Sequence, residues 1–398
     1  MMADVRSGIL HEHALDMLEA ADLALSHIDD IGLEEVHRAE QITPAWLESV
    51  LSAGVPEARL EQAECVEGHD GMTDRRRWRL SWDTAGEQAR LPEAIFVKAT
   101  PDKPYLRETL SMLHMAEHEV RFYDTLQPDV SDISPKGYFG SFHPGGRFML
   151  ITEDLEASGK RPFWLHHECS VEHARSVVTA LARLHAAFWE TGRFEKDLGW
   201  VRPRLTKFGR KWHRQSFQTA RGKYPATELA ESMPDKVRQI LSLWSSNDLA
   251  IYDYWASLPQ TILHGDSHLG NTYSAPDGTA GYFDWQVIFR ENGLRDVSYF
   301  LGSALSNDQR TVHEKSIVEG YFDELEARGI AINRAKAWRD FALYGLDRFD
   351  AHMKTHVFGG YGHTLEGRIR GRDALFGSLV DYDVLDLMQH VVRTGSLN

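Results

Sequence analysis

Apolar residues alternate at strand spacing in the first part of the chain and recur at helical spacing in the second. Trp78, Leu80 and Trp82 occupy every second position and predict a strand with one buried face. We interpret residues 63–82 as a hairpin broken by a glycine-containing stretch at 67–73. Further segments show the same strand-like or helical patterns, and they predict strands at 94–99, 137–142 and 147–152 and a helix over 107–126.

The flanking regions carry mainly helical signals. The first 40 residues predict one or two acidic amphipathic helices, and Thr43 and Pro44 are typical of the N-cap and first residue of a helix over 45–51. Beyond residue 154, Ser170 is expected to cap a long helix, and further helical stretches are predicted at about 226–256, 307–328, 333–354 and 373–393. Residues 261–285 are short-stranded and rich in turns. The pattern predicts an α+β, bilobal protein with a sheet-rich lobe over 1–154 and a mostly helical lobe over 155–398.

Composition and charge narrow the class of protein. The 398 residues are 42% hydrophobic and 26% charged, as in ordinary globular chains, and the net charge of −15 argues against a nucleic acid or an anionic membrane as partner. The negative charge lies in residues 1–154, which hold 14 basic and 29 acidic residues. The rest of the chain is neutral, but residues 201–223 carry eight basic residues and no acidic one. This basic stretch is either a solvated helix face or a surface that attracts an anion.

Cysteine content and hydropathy indicate the cellular setting. Cys65 and Cys169 have no metal-ligand spacing, so neither a disulfide framework nor a zinc cluster is expected, and a reducing cytoplasm fits. The start of the chain lacks the pattern of a signal peptide, and no apolar run is long enough to span a bilayer. We therefore expect a cytoplasmic protein.

The strongest chemical signal lies between residues 264 and 284. Asp266 and Asn271 are five residues apart, and Asp284 follows thirteen residues later. Strands at 272–275 and 279–283, joined by a turn, would bring Asn271 and Asp284 to the same end of a hairpin. An amide oxygen and a carboxylate are ligands that Mg²⁺ accepts. The alternative is that these residues only bound the turns of a hairpin.

The same spacing is that of the protein-kinase catalytic loop and its metal-binding aspartate, and it indicates phosphoryl transfer. In that scheme Lys98, at the end of a strand, would hold nucleotide phosphates and Glu119 on the next helix would pair with it. Glu117 is the rival for this pairing, and we prefer Glu119 because Tyr123 lies on the same helical face. The alternative is that Lys98 and Glu119 are ordinary solvated side chains.

Two weaker signals complete a nucleotide site. Gly68 and Gly71 lie in the stretch that would cover the phosphates, although it lacks the full glycine-loop pattern and a plain turn is the alternative. Glu153 and Leu155 lie where a kinase connects its lobes, and backbone groups there would face adenine; a polar linker is the alternative.

With these residues identified, the chain resembles the aminoglycoside phosphotransferase and choline kinase superfamily, and most of all its ecdysteroid kinase-like branch and the bacterial relatives of that branch. The resemblance extends from about residue 42 to 379. It is carried by Lys98 and by the segments 42–47, 119–123, 153–155, 181–189, 264–271 and 283–285.

The resemblance implies a bilobal protein-kinase-like fold, with ATP and Mg²⁺ as cofactors. It implies that Asp266 accepts the proton of a substrate hydroxyl, that Asn271 and Asp284 hold Mg²⁺, and that Lys98 orients the ATP phosphates. Further roles follow for the neighbouring residues: Asp296 is a structural carboxylate, His264 braces the catalytic loop, and His268 braces it or reaches the substrate. Preference for ATP over GTP stays open, as does the oligomeric state.

The acceptor is the least determined part of the function. A neutral helical lobe disfavours a polycationic acceptor, and its tryptophans either line a pocket for a bulky apolar alcohol or belong to the core. We expect phosphorylation of a neutral or weakly anionic hydroxylated small molecule. The alternatives are an aminoglycoside or macrolide phosphotransferase and a nucleotide-binding scaffold without turnover. A protein kinase is disfavoured because no A-P-E element follows Asp284.

Overall fold

The structure is a computed structural model that describes residues 17, 20–28, 33–204, 207–359 and 364–397, with the backbone alone for 207–213. The helices predicted within the first 40 residues lie largely outside these ranges. The chain forms two compact units. The first comprises the residues up to Lys160 together with Asp284–Val287, and the second comprises Arg161–Phe283 and the residues from Ile288 onward.

The first unit is built on a five-stranded antiparallel sheet with the strand order β1-β2-β3-β5-β4. The predicted hairpin and the three further strands are all present, and the bounds are β1 Leu60–Asp70, β2 Asp74–Trp82, β3 Ala94–Ala99, β4 Gly137–His143 and β5 Arg147–Glu153. The prediction that the strand breaks at residue 67 is wrong, because the break begins later. Gly68 lies inside β1 opposite Arg76, because the ladder continues to Asp70, and only residues 71–73 form the turn.

Alternation along the strands distributes side chains between the two faces of this sheet. Val97 and Ile151 pack in one apolar cluster with Leu47 of helix α1 (Pro44–Leu51). Leu150 packs in the other cluster with Val120. Because successive strand residues point to opposite faces, Lys98 lies on the second face, the side of the helices that follow β3.

Capping and turn residues set the helices of this unit. Thr43 accepts the Trp46 N–H through Oγ1 at 3.2 Å, so α1 begins where the sequence predicts it. A short helix, α2 (Thr84–Gln88), follows β2. The helix expected over 107–126 is divided into α3 (Pro104–Met112), α4 (Met115–Arg121) and a π-helical turn at Phe122–Leu126.

The division of that helix occurs at His114, whose φ of 54° is left-handed and incompatible with a continuous α-helix. Leu110 before the break and Met115 after it belong to the same apolar cluster. Apolar periodicity therefore continues across a break that it does not reveal.

The second unit is mostly helical. Ser170 caps its first helix by accepting the His173 N–H through Oγ at 3.1 Å, as predicted. Its helices are α5 Val171–Ala187, α6 Lys207–Lys223, α7 Asp235–Ala256, α8 Leu294–Ala304, α9 Asn307–Ala327, α10 Arg334–Leu343, α11 Gly345–Val357, α12 Leu365–Asp381 and α13 Val384–Thr394.

Two small sheets interrupt these helices. One has the order β6-β8-β9, and the other pairs β10 with β7; their bounds are β6 Arg161–Pro162, β7 Thr261–Leu263, β8 Thr272–Ser274, β9 Ala280–Tyr282 and β10 Phe289–Glu291. The predicted hairpin is confirmed, with Thr272 opposite Tyr282 and a turn at Gly278, whose φ is 85°. No helix within the described ranges is both long and apolar enough to cross a membrane.

Candidate active site

Lys98 of the first unit lies between two carboxylates. Its Nζ is 2.6 Å from Glu119 Oε1 and 2.8 Å from Asp284 Oδ1. Lys98 and Glu119 are 6% and 2% exposed, so this pair is almost fully withdrawn from water. The rival Glu117 instead accepts from Arg121 at 2.8 Å and lies 3.4 Å from His114. The expected pairing of Lys98 with Glu119 is therefore present, while its part in nucleotide binding stays a prediction.

Asp284 is held in an unusual backbone conformation beside these cations. Its φ is 66°, in a region that non-glycine residues rarely adopt. Its Oδ2 lies 4.0 Å from the guanidinium of Arg75, and Arg75 is the direct partner of Lys98 across β2 and β3. Burial and the neighbouring Asp284 raise the pKa of Glu119, although Lys98 opposes the shift.

Arg75 is a site residue that the sequence analysis missed. It is one of three consecutive arginines at the start of β2, and only the strand register shows which of them faces Lys98. Its position gives the Lys98 cluster a second cation, which is suited to binding phosphate oxygens.

The glycines expected to cover the phosphates differ in their surroundings. A Cβ at Gly68 would lie 2.7 Å from the guanidinium of Arg76, so a larger residue at position 68 would require the end of that flexible side chain to move. The Gly71 N–H donates to the Thr73 carbonyl at 3.1 Å and closes the turn between β1 and β2. Contact of Gly68 and Gly71 with nucleotide phosphates stays a prediction.

The predicted adenine-facing segment follows β5. Glu153 accepts from Lys160 Nζ at 2.8 Å and donates its N–H to the Lys136 carbonyl, also at 2.8 Å. The Leu155 carbonyl accepts the Lys160 N–H at 2.8 Å. Between them, the buried Asp154 accepts two hydrogen bonds from Arg77, at 2.8 and 2.9 Å. Some hydrogen-bonding groups of Glu153 and Leu155 are thus already paired within the first unit. Their contact with adenine stays a prediction.

In the second unit, Asp266 lies between His268 and Tyr299. Its Oδ2 is 3.4 Å from His268 Nε2, and its Oδ1 accepts from the Tyr299 hydroxyl at 3.4 Å. Burial by itself would raise the pKa of Asp266, but the nearby His268, His264 and Arg295 outweigh it and lower the pKa below its usual range. Asp266 therefore stays ionised, and its side chain is one-third exposed, so solvent has access to the carboxylate.

Backbone contacts fix the loop that carries Asp266. The buried Asp296 accepts the His264 N–H at 2.7 Å and the Gly265 N–H at 3.3 Å. The His264 ring accepts the Asp266 N–H through Nδ1 at 3.3 Å and lies 3.0 Å from the Phe283 carbonyl through Nε2. These are the contacts that a structural carboxylate and a bracing histidine require.

A buried ion-pair network adjoins the same loop, and the sequence analysis missed it. Arg295 donates to the Gly265 carbonyl and, through Nε, to Asp347 at 2.9 Å. Arg204 also pairs with Asp347 and lies 3.4 Å from Glu291. Gly265, with φ 83°, has the left-handed backbone of this turn, which explains glycine at that position. Residues so far apart in sequence give no local signal of such a network.

The side-chain amide of Asn271 is held by hydrogen bonds to Asp266. Its side-chain N–H groups donate to the Asp266 carbonyl at 2.9 Å and to Asp266 Oδ2 at 3.4 Å, which turns the amide oxygen away from these partners. The Phe283 N–H donates to the Asn271 carbonyl at 3.0 Å, and Asp284 is the next residue in the chain. An amide oxygen and a carboxylate are the hard oxygen donors that fit Mg²⁺. The described residues contain no cluster of three or more His, Cys, Asp or Glu suited to a metal ion.

Comparison with solved structures finds several phosphotransferases and kinases that are similar to this chain. An aminoglycoside phosphotransferase from Alicyclobacillus acidocaldarius has a TM-score of 0.50 at 13% identity, over 83% of this chain and 93% of its own. A choline kinase from Streptococcus pneumoniae has a TM-score of 0.45 at 10% identity, over 85% of this chain and 99% of its own. A macrolide 2′-phosphotransferase from Brachybacterium faecium has a TM-score of 0.44 at 14% identity, over 83% of this chain and 98% of its own.

Comparison with curated protein sequences gives no match. A family model does match, over residues 75–333, which is well over half of the chain and includes Lys98, Glu119, Asp266, Asn271 and Asp284. This α+β protein, with its antiparallel sheet and its helical second part, therefore belongs to the ecdysteroid kinase-like family.

Proposed function

We propose that the protein is a kinase that transfers the γ-phosphate of ATP to a hydroxyl group of a small molecule. The observation that carries the proposal is the state of Asp266, a carboxylate kept ionised and accessible between His268 and Tyr299 on a loop whose backbone is hydrogen-bonded to Asp296. Membership of the ecdysteroid kinase-like family supports the same reaction class.

Asp266 would accept the hydrogen bond of the acceptor hydroxyl and so orient its oxygen toward phosphorus. The new bond forms between that oxygen and the γ-phosphorus, the bond from the γ-phosphorus to the leaving oxygen of ADP breaks, and the hydroxyl proton passes to Asp266. Because its pKa is low, Asp266 would accept the proton late in the transfer.

Lys98 and Arg75 would bind nucleotide phosphates, and Glu119 would hold the Lys98 ammonium in place. Mg²⁺ would be held by Asn271 and Asp284, and it would neutralise charge that develops on the phosphate oxygens. Displacement of Lys98 from Asp284 toward phosphate would free that carboxylate for the metal.

We infer an acceptor that is not a polycation. The neutral balance of charge over residues 155–398 supports this, and residues 1–154 hold the acidic excess. A pocket walled by tryptophan has less support, because Trp244 and Trp255 are fully buried in the core. A cytoplasmic location and the absence of nucleic-acid and membrane partners remain predictions.

The test is ADP release from Mg-ATP across hydroxylated compounds that include aminoglycosides, macrolides, sterols, choline analogues and sugars. Asp266→Asn is compared with Asp277→Asn, which removes the same charge from the exposed turn of the β8–β9 hairpin. We expect at least one acceptor whose turnover is lost in Asp266→Asn and retained in Asp277→Asn. Equal turnover in both variants would overturn the proposal.

A further inference from the structure

A cavity of about 380 Å³ lies within the second unit. Its wall includes His268 and Tyr299, the two side chains that contact the Asp266 carboxylate. The volume is within the range of small-molecule sites. A molecule bound here would therefore lie against the residues that hold the proposed base.

Small residues from three helices line this space. Gly302 of α8, Ala351 of α11, and Gly367 and Gly371 of α12 all line the cavity. A Cβ at Gly371 would meet no atom within 4 Å, so this glycine faces open space. A Cβ at Gly302 would overlap the side chain of Arg348, so glycine at this position is what admits the arginine.

The charged side chains of the wall are mainly cationic. Three arginines, Arg348, Arg368 and Arg370, line the cavity together with a single carboxylate, Glu168. The cavity thus has an excess of fixed positive charge, although the protein as a whole carries a net charge of −15. Such a concentration of one sign in a concave site attracts ligands of the opposite sign.

The protein itself leaves most of this positive charge uncompensated. Arg370 has no hydrogen-bond or ion-pair partner among the described residues, and Arg368 donates to the neutral acceptor His356 Nδ1 at 2.8 Å. Arg348 donates to Ser378 at 3.0 Å and has the one carboxylate partner, Glu314, at 3.7 Å.

Donor groups of the same arginines also lack acceptors. The Nε–H groups of Arg348 and Arg368 are inaccessible to water and donate to no acceptor among the described residues. Buried donors left without an acceptor are costly, and burial lowers the pKa of Arg348, so its charge is destabilised where it stands. A negative charge in the cavity would stabilise the Arg348 guanidinium by Coulombic attraction across a medium of low dielectric constant.

We propose that the acceptor carries an anionic group, a carboxylate or a phosphate, which Arg348, Arg368 and Arg370 bind while its hydroxyl lies at Asp266. This inference rests on the proposed kinase function and specifies its substrate class. Guanidinium groups suit both anions because they donate paired hydrogen bonds to carboxylate and phosphate oxygens. A cationic acceptor would meet repulsion from the same wall.

The test measures binding by calorimetry, without turnover. The probes are mandelate, 4-hydroxyphenylacetate and glycerol 2-phosphate, each beside its neutral counterpart mandelamide, 4-hydroxyphenylacetamide or glycerol, with inorganic phosphate and choline added. They are titrated into the full chain saturated with a non-hydrolysable ATP analogue and Mg²⁺, so that the nucleotide site is filled.

The variants are Arg370→Gln and Arg368→Gln, which keep the buried Arg348 intact. Arg393→Gln is the matched control, because it removes an exposed helix arginine of the same unit that lies outside the cavity wall. We expect wild type and Arg393→Gln to prefer an anion over its neutral counterpart by about tenfold. The two cavity variants should reduce that preference to about threefold or less.

Any of three results would overturn the inference. They are equal binding of anions and their neutral counterparts, tighter binding of choline than of the anions, and no binding of any anion at millimolar concentration. An equal charge preference in all variants would do the same. A failure of the proposed kinase function alone would look different. Anions would still bind in the cavity and lose affinity in Arg370→Gln, but no anionic hydroxyl compound would stimulate ADP release. With an acidic acceptor that turns over, Arg370→Gln should raise its KM about tenfold and leave the KM of ATP unchanged.

Discussion

A neutral, buried His173 should make the stability of the second unit fall as the pH is lowered. His173 is 8% exposed, and its ring stacks on Phe163 at a centroid distance of 4.0 Å and lies 3.1 Å from the Thr272 hydroxyl through Nε2. Thr272 immediately follows Asn271, so this contact anchors the strand that carries a proposed metal ligand. Burial and the nearby Arg161 lower the pKa of His173 to about 4.

The direction of the effect follows from proton linkage. In the unfolded chain a histidine binds its proton near pH 6.5, whereas folded His173 stays neutral down to about pH 4. Between these values the unfolded state binds more protons, so stability falls as the pH is lowered. Between pH 7 and pH 4.5, His173 alone should cost about 2 kcal/mol of unfolding free energy.

The perturbation is His173→Gln, which keeps a side-chain N–H for Thr272 and removes the titration. Urea unfolding at pH 7 and at pH 4.5, followed by tryptophan fluorescence, gives the stability loss of wild type and variant. The difference between the two losses cancels the groups that both proteins share. Wild type should lose about 2 kcal/mol more than the variant. Equal losses within about 0.5 kcal/mol would refute the reasoning.

Two further pairs of variants test the site. Glu119→Gln should lower kcat/KM for ATP about a hundredfold because Lys98 loses a buried ionic partner, whereas Glu117→Gln should change it by no more than about twofold. Steady-state kinetics at varied ATP concentration measures both variants. Similar losses in the two variants would contradict the assignment of Glu119. Gly302→Ala should destabilise by roughly 1–3 kcal/mol because its Cβ overlaps a buried arginine, whereas Gly320→Ala, in a helix with open space, should stabilise by about 0.5–1 kcal/mol. Thermal unfolding checks this second pair, and a stabilising Gly302→Ala would show that the packing argument is wrong.

Local signals were sufficient for much of the fold. Thr43 and Ser170 cap the helices that they predict, and the strand over Ala94–Ala99 has the expected bounds. These features depend on residues within a few positions of one another, which sequence patterns record. The prediction of one helix over 107–126 was wrong because the spacing of apolar residues does not reveal the left-handed backbone at His114.

The candidate site was predictable where chemistry and spacing coincide. Lys98 and Glu119 pair as expected, since strand end and helix face specify their directions. Arg75 and Arg295 were not predictable, because strand register and contacts over a long sequence separation place them. The cationic cavity was missed for the same reason, because Arg348 on one helix and Arg368 and Arg370 on another come together only in the folded chain.

The central claim is that Asp266 supports transfer of a phosphoryl group from ATP to an alcohol. The most direct measurement uses ATP labelled with ¹⁸O in the γ-phosphate, and mass spectrometry of the acceptor after incubation with wild type, Asp266→Asn or Asp277→Asn. We expect labelled phosphate on the acceptor hydroxyl with wild type and Asp277→Asn, and a loss of about a thousandfold in rate with Asp266→Asn. Labelled acceptor formed at the same rate by all three proteins would contradict it.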